Sequence, residues 1–231
     1  MINKPNLKYH STTQAAIFQR GKSMKLLNLA NLKSPIMKSV GFLLFLFPLF
    51  CSAHPGHTEE INFLNGLSHP FSGMDHFLVM LLVGFWSAKS LKNIWFGPLF
   101  FITGMALGST IGLLYIPYTW LEYAISGSVI AMGLLLLSQL NFSQKPIIGL
   151  LAVFGVFHGL AHSELLPAVN ASNDVELIQD LLGLVVSTAL LHAFGVLSSK
   201  LLFKKMNLVS KTAGLGTVIY GLVLIGQLAT S

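Results

Sequence analysis

Six apolar segments, roughly 69–88, 94–116, 120–140, 146–166, 177–199 and 212–229, follow one another with only short polar joints between them. Each approaches or exceeds the ~20 residues that cross a bilayer as a helix. A closed barrel would alternate apolar and polar residues with period two, and these segments are continuous, so helices follow. Only 10% of residues are charged, against roughly 25% in soluble domains. The mean hydropathy of +0.71 agrees. The expected fold class is an all-α integral membrane protein, a six-helix transmembrane bundle over 69–231, with the lipid bilayer as its first partner.

The net charge of +6 is unevenly placed. Residues 1–53 hold 7 Lys/Arg and no acid, whereas 54–231 hold 7 Lys and 8 Asp/Glu, a net of −1. The basicity belongs to the front end, and a nucleic-acid partner is not expected. Met37-Lys38, the apolar stretch Val40–Phe50 and then Cys51-Ser52-Ala53 make a secretory signal peptide over 37–53. Cleavage after Ala53 would leave His54 first; the alternative is an uncleaved span, for which the apolar core is short. Residues 1–36 are an upstream extension or targeting segment, or precede a true start at Met37, and no fold is expected of them. Residues 54–68 form an outer, His-containing segment. The single cysteine, Cys51, excludes a disulfide framework and a thiolate metal cluster.

The joints set orientation. Lys89, Lys92, Lys145, Lys200, Lys204, Lys205 and Lys211 crowd the first, third and fifth, while the second and fourth carry Glu122, Asp174, Glu176 and Asp180 and no Lys or Arg. Positive joints face the cytoplasm, which puts the mature N-terminus and the C-terminus on the outer, periplasmic side of the cytoplasmic membrane. Gly104, Gly108 and Gly112, and Gly155 with Gly159, repeat at i, i+4 and predict close helix packing. Trp86, Trp95, Tyr115, Tyr118 and Trp120 fall near span ends, as interfacial aromatics do.

Ionisable residues inside the spans carry the functional signal. The first span, to reach membrane length, must run back from Ala88 through His76 and Asp75 to His69 as one helix. Asp75 and His76 then lie roughly 10 Å below the outer surface. On that helix His69, His76 and Met80 form one stripe. The fourth span supplies His158 and His162, an i, i+4 pair at roughly the same depth, and the fifth adds His192 nearer the cytoplasm. Glu122 opens the third span at its outer edge. Imidazole and carboxylate without thiolate suit borderline divalent ions such as Ni2+, Co2+ or Zn2+, and the same groups could relay protons. His158 is followed by Gly159, so the His-Glu-x-x-His of a zinc protease fails, and no phosphate-binding Gly-rich loop is present. No enzymatic activity is expected.

In these residues the sequence resembles the HupE/UreJ family of bacterial membrane proteins. His54-Pro55-Gly56-His57 is similar to the family's mature start. His69-Pro70-Phe71-Ser72-Gly73-Met74-Asp75-His76, continuing to Met80, Val83, Gly84 and Trp86, fits its H-P-x-x-G-x-D-H signature. Glu122 with Ser128 and Val129 matches a weaker pattern in the third span, and Phe157-His158-Gly159 with Ala161-His162 and Thr188 to His192 match the fourth- and fifth-span motifs. Members commonly place a Glu three residues after the second His, where this chain has Leu165 and carries Glu164 instead. The resemblance implies a six-helix secondary permease moving Ni2+ or Co2+ inward as substrate, with no resident cofactor, for a hydrogenase or urease maturation system. By that analogy His54 and His57 capture the ion, His69, Asp75, His76, His158 and His162 hold it, and His192 passes it on. Met80, Glu122 and Glu164 line the path or support it. Competing classes are a non-transporting accessory protein of metalloenzyme assembly and a proton-coupled carrier of another solute. Nickel against cobalt, the driving ion and homo-oligomer formation stay open.

Overall fold

The computed structural model describes residues 62–112, 120–138, 143–163 and 174–230. The signal peptide, His54, His57, Tyr115, Tyr118 and Glu164 lie outside the described residues. Contacts divide the chain into two units, Met1–Phe50 and Cys51–Ser231, and every described residue belongs to the second.

Among the described residues all regular structure is helical. The elements are α1 (Phe63–Ser68), a 3-10 turn (His69–Phe71), α2 (Met74–Ser90), α3 (Phe96–Gly112), α4 (Leu121–Leu137), α5 (Gln144–Ser163), α6 (Asp174–Leu201), a second 3-10 turn (Phe203–Lys205) and α7 (Met206–Leu228). Among the described residues three helices are long and apolar enough to cross a membrane: α5, α6 and the turn-plus-α7 unit Phe203–Leu228. The bent pair Phe63–Phe71 and Met74–Ser90 makes a fourth if taken as one span, and α3 and α4 are shorter apolar helices. Large apolar side chains face outward along these helices, among them Leu107, Leu190, Leu197, Ile219 and Leu222, while His76, His158, His162, His192, Ser128, Ser187, Thr188 and Thr217 are buried. In water such an outer surface would be a sticky patch. Against hydrocarbon it is the expected one.

The first expected span is not one helix. The chain turns by 84° between Phe63–Phe71 and Met74–Ser90. Pro70 sits at the start of the 3-10 turn, and Gly73 leaves it with extended backbone (φ −114°, ψ 125°) before α2 begins. His69 therefore does not share a helical stripe with His76 and Met80. Trp86 also departs from expectation: it is buried in the core at 4% exposure, while Trp95 and Trp120 are exposed at 51% and 46%. It precedes Lys89 by less than one turn but faces inward.

Helices pair out of sequence order: α3 with α5, α4 with α7, and α6 with both α2 and α1. Glycine makes each approach close. A Cβ added at Gly104 or Gly108 would lie 2.1 or 2.2 Å from the carbonyl oxygens of Ala152 and Val156, and one at Gly155 or Gly159 would meet those of Phe101 and Met105 at 2.1 and 2.0 Å. Gly84 and Gly195 do the same between α2 and α6, and Gly66 and Gly183 between α1 and α6. No side chain larger than hydrogen fits these seams, the small-residue packing of membrane helices.

The contacts also fix running directions. Phe101 and Met105 meet Gly155 and Gly159 in rising order, so α3 and α5 are parallel. Met80 lies by Thr188 and His192, and Leu81 and Phe85 by Gly195, so α2 and α6 are parallel. Lys89 Nζ donates to Leu136 O at 3.3 Å, bringing the C-terminal ends of α2 and α4 together. Phe101 touches His192 while Met105 touches Thr188, so α3 runs against α6. Tyr123 OH donates to Leu228 O, and Gly221 meets Ile130, so α7 runs against α4. Direction alternates from α2 through α7. Asp75, Glu122, Asp174, Glu176 and Asp180 consequently gather at one end of the bundle, and Lys89, Lys145 and Lys200 at the other.

Candidate metal site

The first turn of α2 builds the site from a local shortage of acceptors. A helix start leaves backbone N–H groups unpaired, and Gly73 has no side chain to cap them. Asp75 answers from within the turn: its Oδ1 accepts the His76 backbone N–H at 2.8 Å and the His76 ring Nδ1–H at 3.0 Å. A carboxylate here is also favoured by the helix dipole. The bend then matters, because it folds the 3-10 turn back so that the His69 ring centroid lies 6.0 Å from that of His76.

From α5, His158 and His162 come in at the same level. His76 packs edge-to-face on both, with centroids 4.8 Å from His158 and 5.2 Å from His162, and His69 meets His162 at 4.1 Å. The structure thus brings together His69, Asp75, His76, His158 and His162. His76 lies against both members of the α5 pair.

Deeper in the bundle, His192 of α6 donates from Nδ1 to the Met80 carbonyl, and Thr188 Oγ1 donates to the sulfurs of Met80 and Met105 at 3.4 and 3.5 Å. Phe101 is fully buried between the two levels, 5.4 Å from His158 and 5.2 Å from His192 by ring centroids. Met80, one turn along α2 from His76 on the same face, therefore belongs to the deeper level. Glu122 is exposed in the first turn of α4. Phe101 and Met105 are contacts that the sequence does not mark, and Thr188 enters there only through the resemblance. Nothing in an apolar run marks one Phe or Met as facing a histidine.

The hydrogen bonds determine which ring nitrogen faces inward. His158 Nδ1–H donates to Phe154 O at 2.9 Å, His76 to Asp75, and His192 to Met80. With Nδ1 as the donor, Nε2 of a neutral ring keeps its lone pair. The Nε2 atoms of His76, His158, His162 and His192 are all buried without a hydrogen-bond partner. Buried polar atoms left unpaired are costly and uncommon. A histidine whose Nδ1–H is held by a carboxylate or carbonyl while Nε2 stays open is how proteins present imidazole to a metal. Among the described residues no group of three or more His, Cys, Asp or Glu is arranged to hold a metal ion. The rings rest on one another's faces, and turning Nε2 toward a shared ion requires ring rotation.

Comparison with known proteins bears on the family of the chain and not on the site. The family described as HupE / UreJ protein matches residues 42–224. Protein HupE of Rhizobium leguminosarum bv. viciae is 33% identical over 182 residues, which cover 77% of this chain and 91% of that protein. No solved structure matches.

Proposed function

The chain belongs to the HupE/UreJ family, and from that premise we propose that it is a secondary permease carrying Ni2+ or Co2+ inward across the cytoplasmic membrane. The observation that carries the reading is the set of four buried, unpartnered Nε2 atoms, three of them on rings whose Nδ1–H is already committed. Asp75 supplies negative charge to the first level, and His69, His76, His158 and His162 offer nitrogen ligands there. His192 receives the ion beyond Phe101, where the Met80 and Met105 sulfurs accompany it. The ion is substrate, and the reading gives the chain no chemical step of its own. Delivery to hydrogenase or urease maturation follows the family's association.

The six-span topology is part of the proposal. Alternating helix directions support it, as does the gathering of Lys at one end and acids at the other. By the positive-inside tendency the His cluster then lies toward the periplasm. The N-terminal residues 37–53 would act as signal peptide, with His54 and His57 as external capture ligands and Glu164 near the same outer end.

Uptake of radioactive nickel and cobalt into vesicles containing the purified protein tests the reading. Accumulation of either ion, abolished by His76→Ala and Asp75→Ala at unchanged protein abundance, is expected. Metal binding without accumulation would favour the accessory-protein reading, and a proton flux indifferent to both metals would favour the other carrier.

A further inference from the structure

At the acidic end of the bundle a cavity of about 260 Å³ opens between the C-terminal turns of α3 and α5 and the N-terminal turns of α6. Its walls include Leu181 and Leu184, and its polar groups include Asp174, Asp180, Thr110 and His162. Water occupies about 30 Å³ per molecule, so the volume admits an ion with a first layer of water. Two carboxylates alone would be an ordinary solvated helix start. Here the cavity also reaches His162, which is 7% exposed and whose Nε2 has no hydrogen-bond partner. His162 in turn touches His69 and His76.

We propose that this cavity is a loading chamber for a hydrated divalent transition-metal cation, held by Asp174 and Asp180 and passed to His162. The proposal rests on the permease reading for its direction of travel, but the chamber is a binding site in its own right. Carboxylates on low-dielectric walls focus field and concentrate cations. Hard oxygen ligands suit an ion that still carries its water, and nitrogen ligands suit it once water is shed. Carboxylate oxygens at Asp174 and Asp180 and nitrogen from His162 onward would then take the ion in the order in which it sheds water. Asp174 and Asp180 are thereby more than markers of orientation.

The test places a nitroxide at the chamber in the full chain, with Cys51→Ser and Ile178→Cys; Ile178 lines the cavity and is 57% exposed. Paramagnetic Ni2+ is titrated in detergent, where no transport is needed. Saturable relaxation of the label is expected, with the half-saturating Ni2+ concentration raised about tenfold by Asp174→Asn/Asp180→Asn, and with the effect retained in His76→Ala. Absence of a saturable effect overturns the proposal. So does an effect indifferent to the double Asn change, or one lost in His76→Ala, since the ion sensed would then sit among the deeper histidines. If Ile178→Cys fails to fold, Thr110→Cys serves as the labelling site. Uptake measured separately in vesicles divides the two failures: a responsive label without uptake removes the permease and leaves the chamber, and uptake with a silent label does the reverse.

Discussion

Along α5 two pairs of residues with the same spacing lie side by side and do opposite things. Gly155 and Gly159 press against Phe101 and Met105 of α3 with no room for a methyl group. His158 and His162, three residues further on from each, face α2 and carry open Nε2 atoms. One face is closed as tightly as backbone allows. The other keeps polar atoms unsatisfied in the interior. A rigid seam next to an under-satisfied cluster is a sensible division of labour, because rings that must rotate around an ion need a backbone that does not yield.

The largest expected effects come from exchanging the properties of these two faces. Gly155→Leu places side-chain atoms where a Cβ already lies 2.1 Å from a carbonyl oxygen. Overpacking of this kind costs about 1–3 kcal/mol even where neighbours can shift, and here the obstacle is backbone. Folded protein recovered from membranes should fall to near zero. His158→Ala should leave that yield close to wild type while metal uptake falls at least about tenfold, the scale seen when metal-site groups are removed. Yield by size-exclusion profile and uptake in matched vesicles separate the two. If His158→Ala loses yield in step with uptake, the histidine face is structural as well and the contrast collapses.

Much of this contrast was legible in the sequence. The i, i+4 glycines of α3 and α5 mark close packing, and three histidines and an aspartate at one depth mark a site. The partners of each seam were not legible, since a glycine spacing says that a helix can be approached and not by which neighbour. The bend at Ser72-Gly73 was also hidden. Membrane-span arithmetic averages over about 20 residues, whereas the turn depends on Pro70, on the extended backbone of Gly73 and on Asp75 capping its own helix. The consequence is that His69 reaches the cluster across a fold in the chain. The helical stripe expected for it does not exist. Asp174 and Asp180 read in the sequence only as markers of orientation because only the folded chain places them at a cavity with His162.

Gly73 gives an intermediate test on the histidine side of the comparison. Its extended backbone is open to any residue, so the need for glycine lies in space: a Cβ would stand 2.6 Å from Asp75 Oδ1 and 3.3 Å from His76 Nδ1. Gly73→Ala should push the carboxylate away from the imidazole it orients, leaving the seams untouched. Uptake should fall roughly tenfold, the lower end of the cost of losing an orienting hydrogen bond, with yield unchanged. Uptake equal to wild type would mean that the Asp75–His76 pair can shift without loss.

The smallest effects sharpen the other side, within α7, where two glycines two residues apart differ in the same way. Gly214 is buried against α4, and a Cβ there would lie 2.8 Å from Gly133 O and 2.9 Å from Leu137 Cγ. At Gly216 a Cβ would meet nothing within 4 Å. Alanine at an open helical position removes chain freedom from the unfolded state and favours the helix by about 0.5–1 kcal/mol. Gly216→Ala should therefore match or slightly exceed wild type in thermal stability in detergent, with uptake intact. At Gly214 the same methyl must separate α4 from α7, and the expected direction is loss. Both substitutions remove one glycine and add one carbon, so helix propensity moves them alike and only the neighbours differ. If the two variants melt together, glycine in this bundle is serving chain entropy or lipid contact, and the dry seams lose their claim to hold the helices in register around the histidines.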